Sequence, residues 1–206
     1  MFARSSTIHA QPSMIDAGIA YVRDTVLTTL SHVDGFVGLS LITDRASGRC
    51  IATSAWRTEQ AMLASGARAS SLRDTAAQAF GGTSSVDMWE IAVMHRAHHA
   101  RPGTSMRVTW CGTDPGNIDS TVDVFQNGTL SQIEDLPGYC SISLLVNRDS
   151  GRAVVTVAYD DRAALDASRS SSDDIRAEAS KQTGLDVLEV AEFDLMVARL
   201  HAPATV

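Results

Sequence analysis

The chain has 206 residues, of which 44% are hydrophobic and 20% charged, enough apolar material for one large domain or two small ones and too much for a disordered tail. Its 17 Lys and Arg against 24 Asp and Glu leave a net charge of −7, which argues against sequence-independent binding to a phosphate backbone. Aromatic residues make up only 5%, so the core must come mostly from Val, Ile, Leu, Ala and Met. Cys50, Cys111 and Cys140 are odd in number and form no CxxC pair. That argues against a disulfide framework or zinc ribbon and fits a reduced, cytoplasmic protein. The first 18 residues show no apolar leader, and no run approaches the roughly 18 apolar residues a spanning helix needs. Neither a signal peptide nor a membrane partner is expected.

In chain order, a short alternating strand is predicted over Arg4 to His9. Pro12 sits where a first helical turn tolerates proline. A helix follows, with Ile15, Ile19, Val22, Val26 and Leu30 spaced by 4, 3, 4 and 4 residues along one apolar stripe. Gly35 leads into a second strand, Phe36 to Thr43, which is apolar on both faces. Residues 44–48 (Asp-Arg-Ala-Ser-Gly) read as a hairpin loop, and a third strand runs from Arg49 to Trp56. A second helix begins near Thr58 and carries only a thin stripe (Ala61, Ala64, Leu72, Ala76, Phe80). Such a helix either packs very closely or covers a cavity. A last strand is predicted from Val86 to His95.

The same order then repeats. Residues 35–49 match residues 138–152 at an offset of 103, sharing Ser40-Leu41 with Ser143-Leu144 and Ser47-Gly48-Arg49 with Ser150-Gly151-Arg152. The offset continues without gaps from Arg4/Arg107 to Arg73/Arg176 and pairs Pro12 with Pro115 and Trp56 with Tyr159. Only the last strand of the second copy, Val187 to Ala198, slips by about one residue. The predicted organisation is an N-terminal module at 1–97, a linker at 98–104 and a C-terminal module at 105–206. Each module is a βαββαβ ferredoxin-like unit, so the class is α+β. Strands apolar on both faces need a second cover, and two modules packed sheet-to-sheet as an intramolecular α/β barrel supply it.

This combination resembles the dimeric α/β-barrel superfamily and, within it, the antibiotic-biosynthesis-monooxygenase-like (ABM) domains. The resemblance rests on the Gly35-Phe36 and Gly138-Tyr139 strand openings and on the charged hairpin tips. A third element is the aromatic that closes strand three before an acidic stretch and Ala: Trp56 to Ala61 in one copy, Tyr159 to Ala164 in the other. It implies a fused two-module form, a pseudo-dimer that is monomeric or assembles into a higher homo-oligomer. Members of that family oxygenate polycyclic phenols without a cofactor, degrade haem, or have no established reaction. The haem-degrading branch places its iron ligand, a His, on the second helix. The second helices here contain neither His nor Trp, so no haem, and no cofactor at all, is expected.

Candidate chemistry is sparse. His9 is the one catalytic candidate, an imidazole that could move a proton from a phenolic substrate. His9 and Trp110 stand on the first strands where the family places pocket-lining groups, and Trp110 could stack on a flat ring. Thr7, Trp56 and Tyr159 join it as pocket candidates, although Trp56 and Tyr159 also read as structural wedges between sheet and second helix. Arg45 and Arg148 at the hairpin tips could clamp an anion, although such arginines are usually solvated. His95, His98 and His99 form a weak chelating pattern without a flanking carboxylate or Cys, so no metal site is assigned. Two functions stay open. One is small-molecule binding, or cofactor-independent oxygenation of a flat aromatic, in one module. The other is a non-catalytic ligand-binding or interaction protein. The oxygenase reading requires a cavity of about 300 Å³ or more, the lower end for ligand sites.

Overall fold

The computed structural model describes residues 1–101 and 103–200. Pro102 and residues 201–206, assigned above to the linker and to the end of the C-terminal module, lie outside them. The described chain forms two compact units, residues 1–89 with 194–200, and residues 90–193.

In the first unit, β1 (Phe2–His9) pairs antiparallel with β3 (Arg49–Trp56), with Thr7 opposite Ile51. β3 also pairs with β2 (Phe36–Asp44), which pairs in turn with the last residues of β8 (Asp186–Leu200). Between β1 and β2 the chain makes a 3-10 turn at Pro12–Met14 and then α1 (Ile15–Tyr21). A π turn at Val22–Val26 leads on into α2 (Leu27–Leu30). Pro12 starts this segment, as its missing N–H allows. After β3 come α3 (Glu59–Ala64), α4 (Gly66–Ala79) and β4 (Thr83–Arg96). The Thr58 hydroxyl caps α3 by accepting from the Ala61 N–H at 3.1 Å.

The second unit repeats these elements. β5 (Ser105–Gly112), a 3-10 turn at Pro115–Asn117, α5 (Ile118–Val124), a π turn at Phe125–Thr129 and α6 (Leu130–Glu134) precede β6 (Tyr139–Asn147). β7 (Arg152–Tyr159), α7 (Arg162–Ala167), α8 (Arg169–Thr183) and β8 follow. Every element before the last strand starts 103 residues after its counterpart, and even the bulge at Phe36/Gly38 recurs at Tyr139/Ser141. The strands follow the hydrogen-bonding order β1-β3-β2-β8-β5-β7-β6-β4 and close into one barrel, in which every ladder described is antiparallel. The α+β ferredoxin-like barrel read from the sequence is the fold observed.

Two local features differ from the sequence-based expectation. The first helix is interrupted by a π turn in both copies. The second helix is broken in two, at Ser65 and at Ser168. The break at Ser65 is followed by Gly66, but the equivalent break at Ser168 is followed by Arg169, so glycine alone does not set it.

Each unit has its own core. In the first, the predicted stripe residues Ile15, Val22, Val26 and Leu30 are buried with Leu41, Trp56, Met62 and Phe80. In the second, Ile118, Val122, Phe125 and Ile133 are buried with Leu144, Tyr159 and Leu165. The turn into β2 depends on Gly35, whose φ of +80° lies in the left-handed region and whose missing side chain leaves room for the Ala61 methyl. We expect Gly35→Ala to lower stability by about 1–3 kcal/mol through strain and overlap, read as a reduced midpoint in urea unfolding with an unchanged slope.

Candidate functional site

Each unit encloses a cavity between its sheet and its helices. In the first, of about 50 Å³, Arg4, Ser6 and Ile8 project from β1, and Ala52 and Ser54 from β3. Val22, Val26 and Leu30 close it from the first helical segment, and Leu72, Arg73 and Ala76 from α4. The second, of about 70 Å³, is built the same way. Twelve of the thirteen positions lining the first recur 103 residues later in the wall of the second, Leu39 being the exception. Among the pairs are Arg4/Arg107, Ser6/Thr109, Ile8/Cys111, Val22/Phe125 and Arg73/Arg176. The thin stripe on the second helix thus covers a cavity in both copies. The π turns contribute directly. They put Val22 and Val26, and likewise Phe125 and Thr129, on the cavity wall.

A buried arginine anchors each cavity. The Arg4 guanidinium donates to Ser65 Oγ at 3.0 Å and to the Met62 carbonyl at 2.6 Å. Arg107 donates to Ser168 Oγ and Ser172 Oγ, both at 2.9 Å, and to the Leu165 carbonyl at 2.9 Å. Ser65 and Ser168 occupy the breaks in the second helices, where the interruption turns a hydroxyl and a carbonyl toward the guanidinium. Burial, together with the positive charge of Arg73, lowers the Arg4 pKa. Burial also lowers that of Arg176.

The residues singled out from the sequence fall mostly elsewhere. Successive strand side chains point to opposite faces. Arg4, Ser6 and Ile8 face the cavity, so Thr7 and His9 belong to the other face of β1. His9 is exposed at the strand end, opposite Arg49. Trp110 likewise alternates with Thr109 and Cys111 and sits edge-on to Phe193, with ring centroids 6.3 Å apart. Trp56 is fully buried against Phe36 and donates its indole N–H to Ser54 Oγ at 3.1 Å. Of the predicted pocket residues, Tyr159 alone lines a cavity described here, with its hydroxyl 3.3 Å from Ser172 Oγ. Arg45 is exposed and pairs with Asp16 at 2.5 Å. Arg148 pairs with Glu90 at 2.7 Å and with Asp119. His95 faces Glu134, and His98 lies 3.3 Å from Asp160, so these two imidazoles are drawn to different carboxylates. Among the described residues no three His, Cys, Asp or Glu side chains gather as metal donors.

The cavity arginines were already visible as the two ends of the matched offset. Their role was not, because contacts between Arg4 and Ser65, 61 residues apart, exist only in the folded chain.

No known protein-family model matches the chain. Solved structures align with nearly all of it. A "putative monooxygenase" from Lactobacillus acidophilus NCFM aligns with a TM-score of 0.72 and 13% identity, over 100% of this chain and 98% of that one. An anthrone oxidase-like protein aligns with a TM-score of 0.70 and 12% identity, over 98% and 94%. A ferredoxin fold protein related to antibiotic biosynthesis monooxygenases, from Listeria monocytogenes 4b F2365, gives 0.55 and 8%, over 94% of each chain. At such identities the likeness is one of fold, and the fold is the ABM-type α/β barrel in its fused two-module form. Sequence relatives are nearer. The chain is 45% identical over 206 residues to the uncharacterized protein Rv2557 of Mycobacterium tuberculosis strain ATCC 25618 / H37Rv, covering 100% of this chain and 92% of that protein. It is 42% identical over 207 residues to Rv2558 of the same strain, covering 100% and 88%. The chain belongs to the family of these two proteins.

Burial pushes the Cys50 and Cys111 thiols up to about 11, so both are neutral at pH 7 and poor nucleophiles. All three cysteines are free and buried. We expect a thiol reagent such as DTNB to react slowly with native protein at pH 7.5 and to release three equivalents at once in denaturant. Glu90 behaves oppositely. Its hydrogen bond from Arg148 holds its carboxyl below the ordinary carboxylate range. A depressed folded-state pKa adds stability above the unfolded value, lost as pH falls through the folded one. Both groups are partly solvated, so Arg148→Ala should cost no more than about 1 kcal/mol at pH 7 and less at pH 3, measured by urea unfolding at the two pH values.

Proposed function

We propose that the protein binds a small, mainly apolar molecule in the cavities between helices and sheet, one in each unit, without turning it over. The observation that carries this reading is the recurrence of the same wall in both copies, twelve positions deep. A wall kept only for packing would have no reason to leave space in both. The hydrophobic lining with a few polar groups is what ligand sites use to fix orientation.

Catalysis has less support. At about 50 and 70 Å³ both cavities fall well short of the roughly 300 Å³ required above for oxygenation of a flat aromatic. They suit a ligand of a few heavy atoms, and a polycyclic phenol has no room in either. His9, the candidate base, stands on the other face of β1. The monooxygenase names carried by similar structures are thus taken up here as a fold relation, with ligand binding as the function. In this reading the modules 1–97 and 105–206 each contribute a site, the protein stays in the cytoplasm, and the partner is a small molecule, with no nucleic acid or membrane involved.

The test is a thermal-shift screen of compounds with up to about eight heavy atoms, followed by cavity filling. A ligand at 100 times its Kd adds about 2.7 kcal/mol, or roughly 5–10 °C for a chain of this size. We expect Ala76→Leu with Ala179→Leu to remove the shift while circular dichroism shows the fold retained. A shift that survives in the filled variant, or native mass spectrometry and the screen both finding no ligand, would overturn the proposal.

A further inference from the structure

The two cavities share a shape and differ in charge. In the second unit each cavity arginine has an acidic partner. Arg107 lies 3.3 Å from Glu192, a mostly buried carboxylate on β8 that also holds Arg162 and Arg169. Arg176 pairs with Asp173. The Tyr159 ring adds a cation–π contact, 5.6 Å from the Arg107 guanidinium.

In the first unit no such compensation is found among the described residues. The described partners of Arg4, Ser65 and the Met62 carbonyl, are both neutral. They engage two of the five N–H donors of the guanidinium, and Arg4 as a residue is only 6% exposed. Arg73, on the same wall, donates to Ser70 Oγ at 3.0 Å, and its nearest carboxylate, Asp74, is 4.0 Å away and mostly solvated. Two like charges therefore border one small apolar space, and among the described residues no buried carboxylate pairs with either.

The aligned last strands differ at one position that bears on this. The last strands align at an offset of 104, which pairs Trp89 with Phe193 and Glu90 with Asp194. Met88 then stands where the second unit has Glu192. A thioether cannot neutralise a guanidinium, and an unpaired buried cation is costly.

We propose that the first unit's cavity is an anion site for a small monocarboxylate, its carboxylate held by Arg4 and Arg73 and its short apolar tail lying against Val22, Val26 and Leu30. The second unit's cavity is neutralised by Glu192 and takes an uncharged ligand. This rests on the ligand-binding reading of the cavities and adds the charge class and the unit.

Calorimetric titration with sodium butyrate and with butyramide, its uncharged counterpart, at constant ionic strength tests it. The expected result is one butyrate per chain, bound at least tenfold more tightly than butyramide in the first cavity. Met88→Glu, a change at an exposed position that copies the second unit, should weaken butyrate at least tenfold. Glu192→Met should raise the stoichiometry to two. Equal affinity for butyrate and butyramide, both lost in Ala76→Leu, would overturn the anion site and leave the cavity reading standing. Butyrate binding unchanged in Met88→Glu would also overturn it. Failure of both probes to bind the parent protein would overturn the anion site, while the cavity reading stands or falls with the thermal-shift screen.

Discussion

A guanidinium placed between a sheet and a helix cannot be left without hydrogen-bond partners, and in this protein that requirement organises everything around it. Arg4 on β1 and Arg107 on β5 point into the helix-covered side of their sheets. They are satisfied by a serine hydroxyl and a main-chain carbonyl at the break between the two halves of the second helix. The break is therefore part of the anchor. It frees a carbonyl that a continuous helix would use internally and presents Ser65 or Ser168 beside it. With the arginine tied there, small residues on the second helix and the π turn of the first leave a cavity that neither a Leu-rich helix nor a regular first helix would leave.

A shared frame can carry unequal electrostatics. Turns, caps, bulges and π turns recur at one offset because each is needed to build a unit. Charge compensation follows a different logic. In the second unit it depends on Glu192 reaching Arg107 from the last strand, and the aligned residue of the first unit is Met88. In the proposed reading, similar geometry with unequal charge compensation gives one chain two related sites of different preference.

The sequence made most of the architecture legible. Alternation in β1, the 4-3-4-4 spacing of the first helix, glycine at hairpin and strand entry, and the 103-residue repeat all express local backbone preferences. The site was less legible. Choosing Thr7, His9 and Trp110 amounted to choosing a face of β1 and β5, and the cavity lies on the other one. A short polar strand looks alike from both sides, so one residue of parity decides the outcome. Trp56 and Tyr159 show how near such a reading can come. They occupy equivalent positions, yet only Tyr159 reaches the cavity wall, while Trp56 touches it through Ser54.

What the sequence by itself determined was the repeat, the class of each element and the covering of both sheet faces, since these follow from patterns spanning a few residues and from a single offset. Tertiary structure alone decided which face of each first strand is roofed by helices, where the second helix breaks, and whether the buried arginines meet a carboxylate. Those outcomes depend on side chains 58 to 85 residues apart being brought within 4 Å. No local pattern encodes such a distance, because it results from the packing of the whole unit.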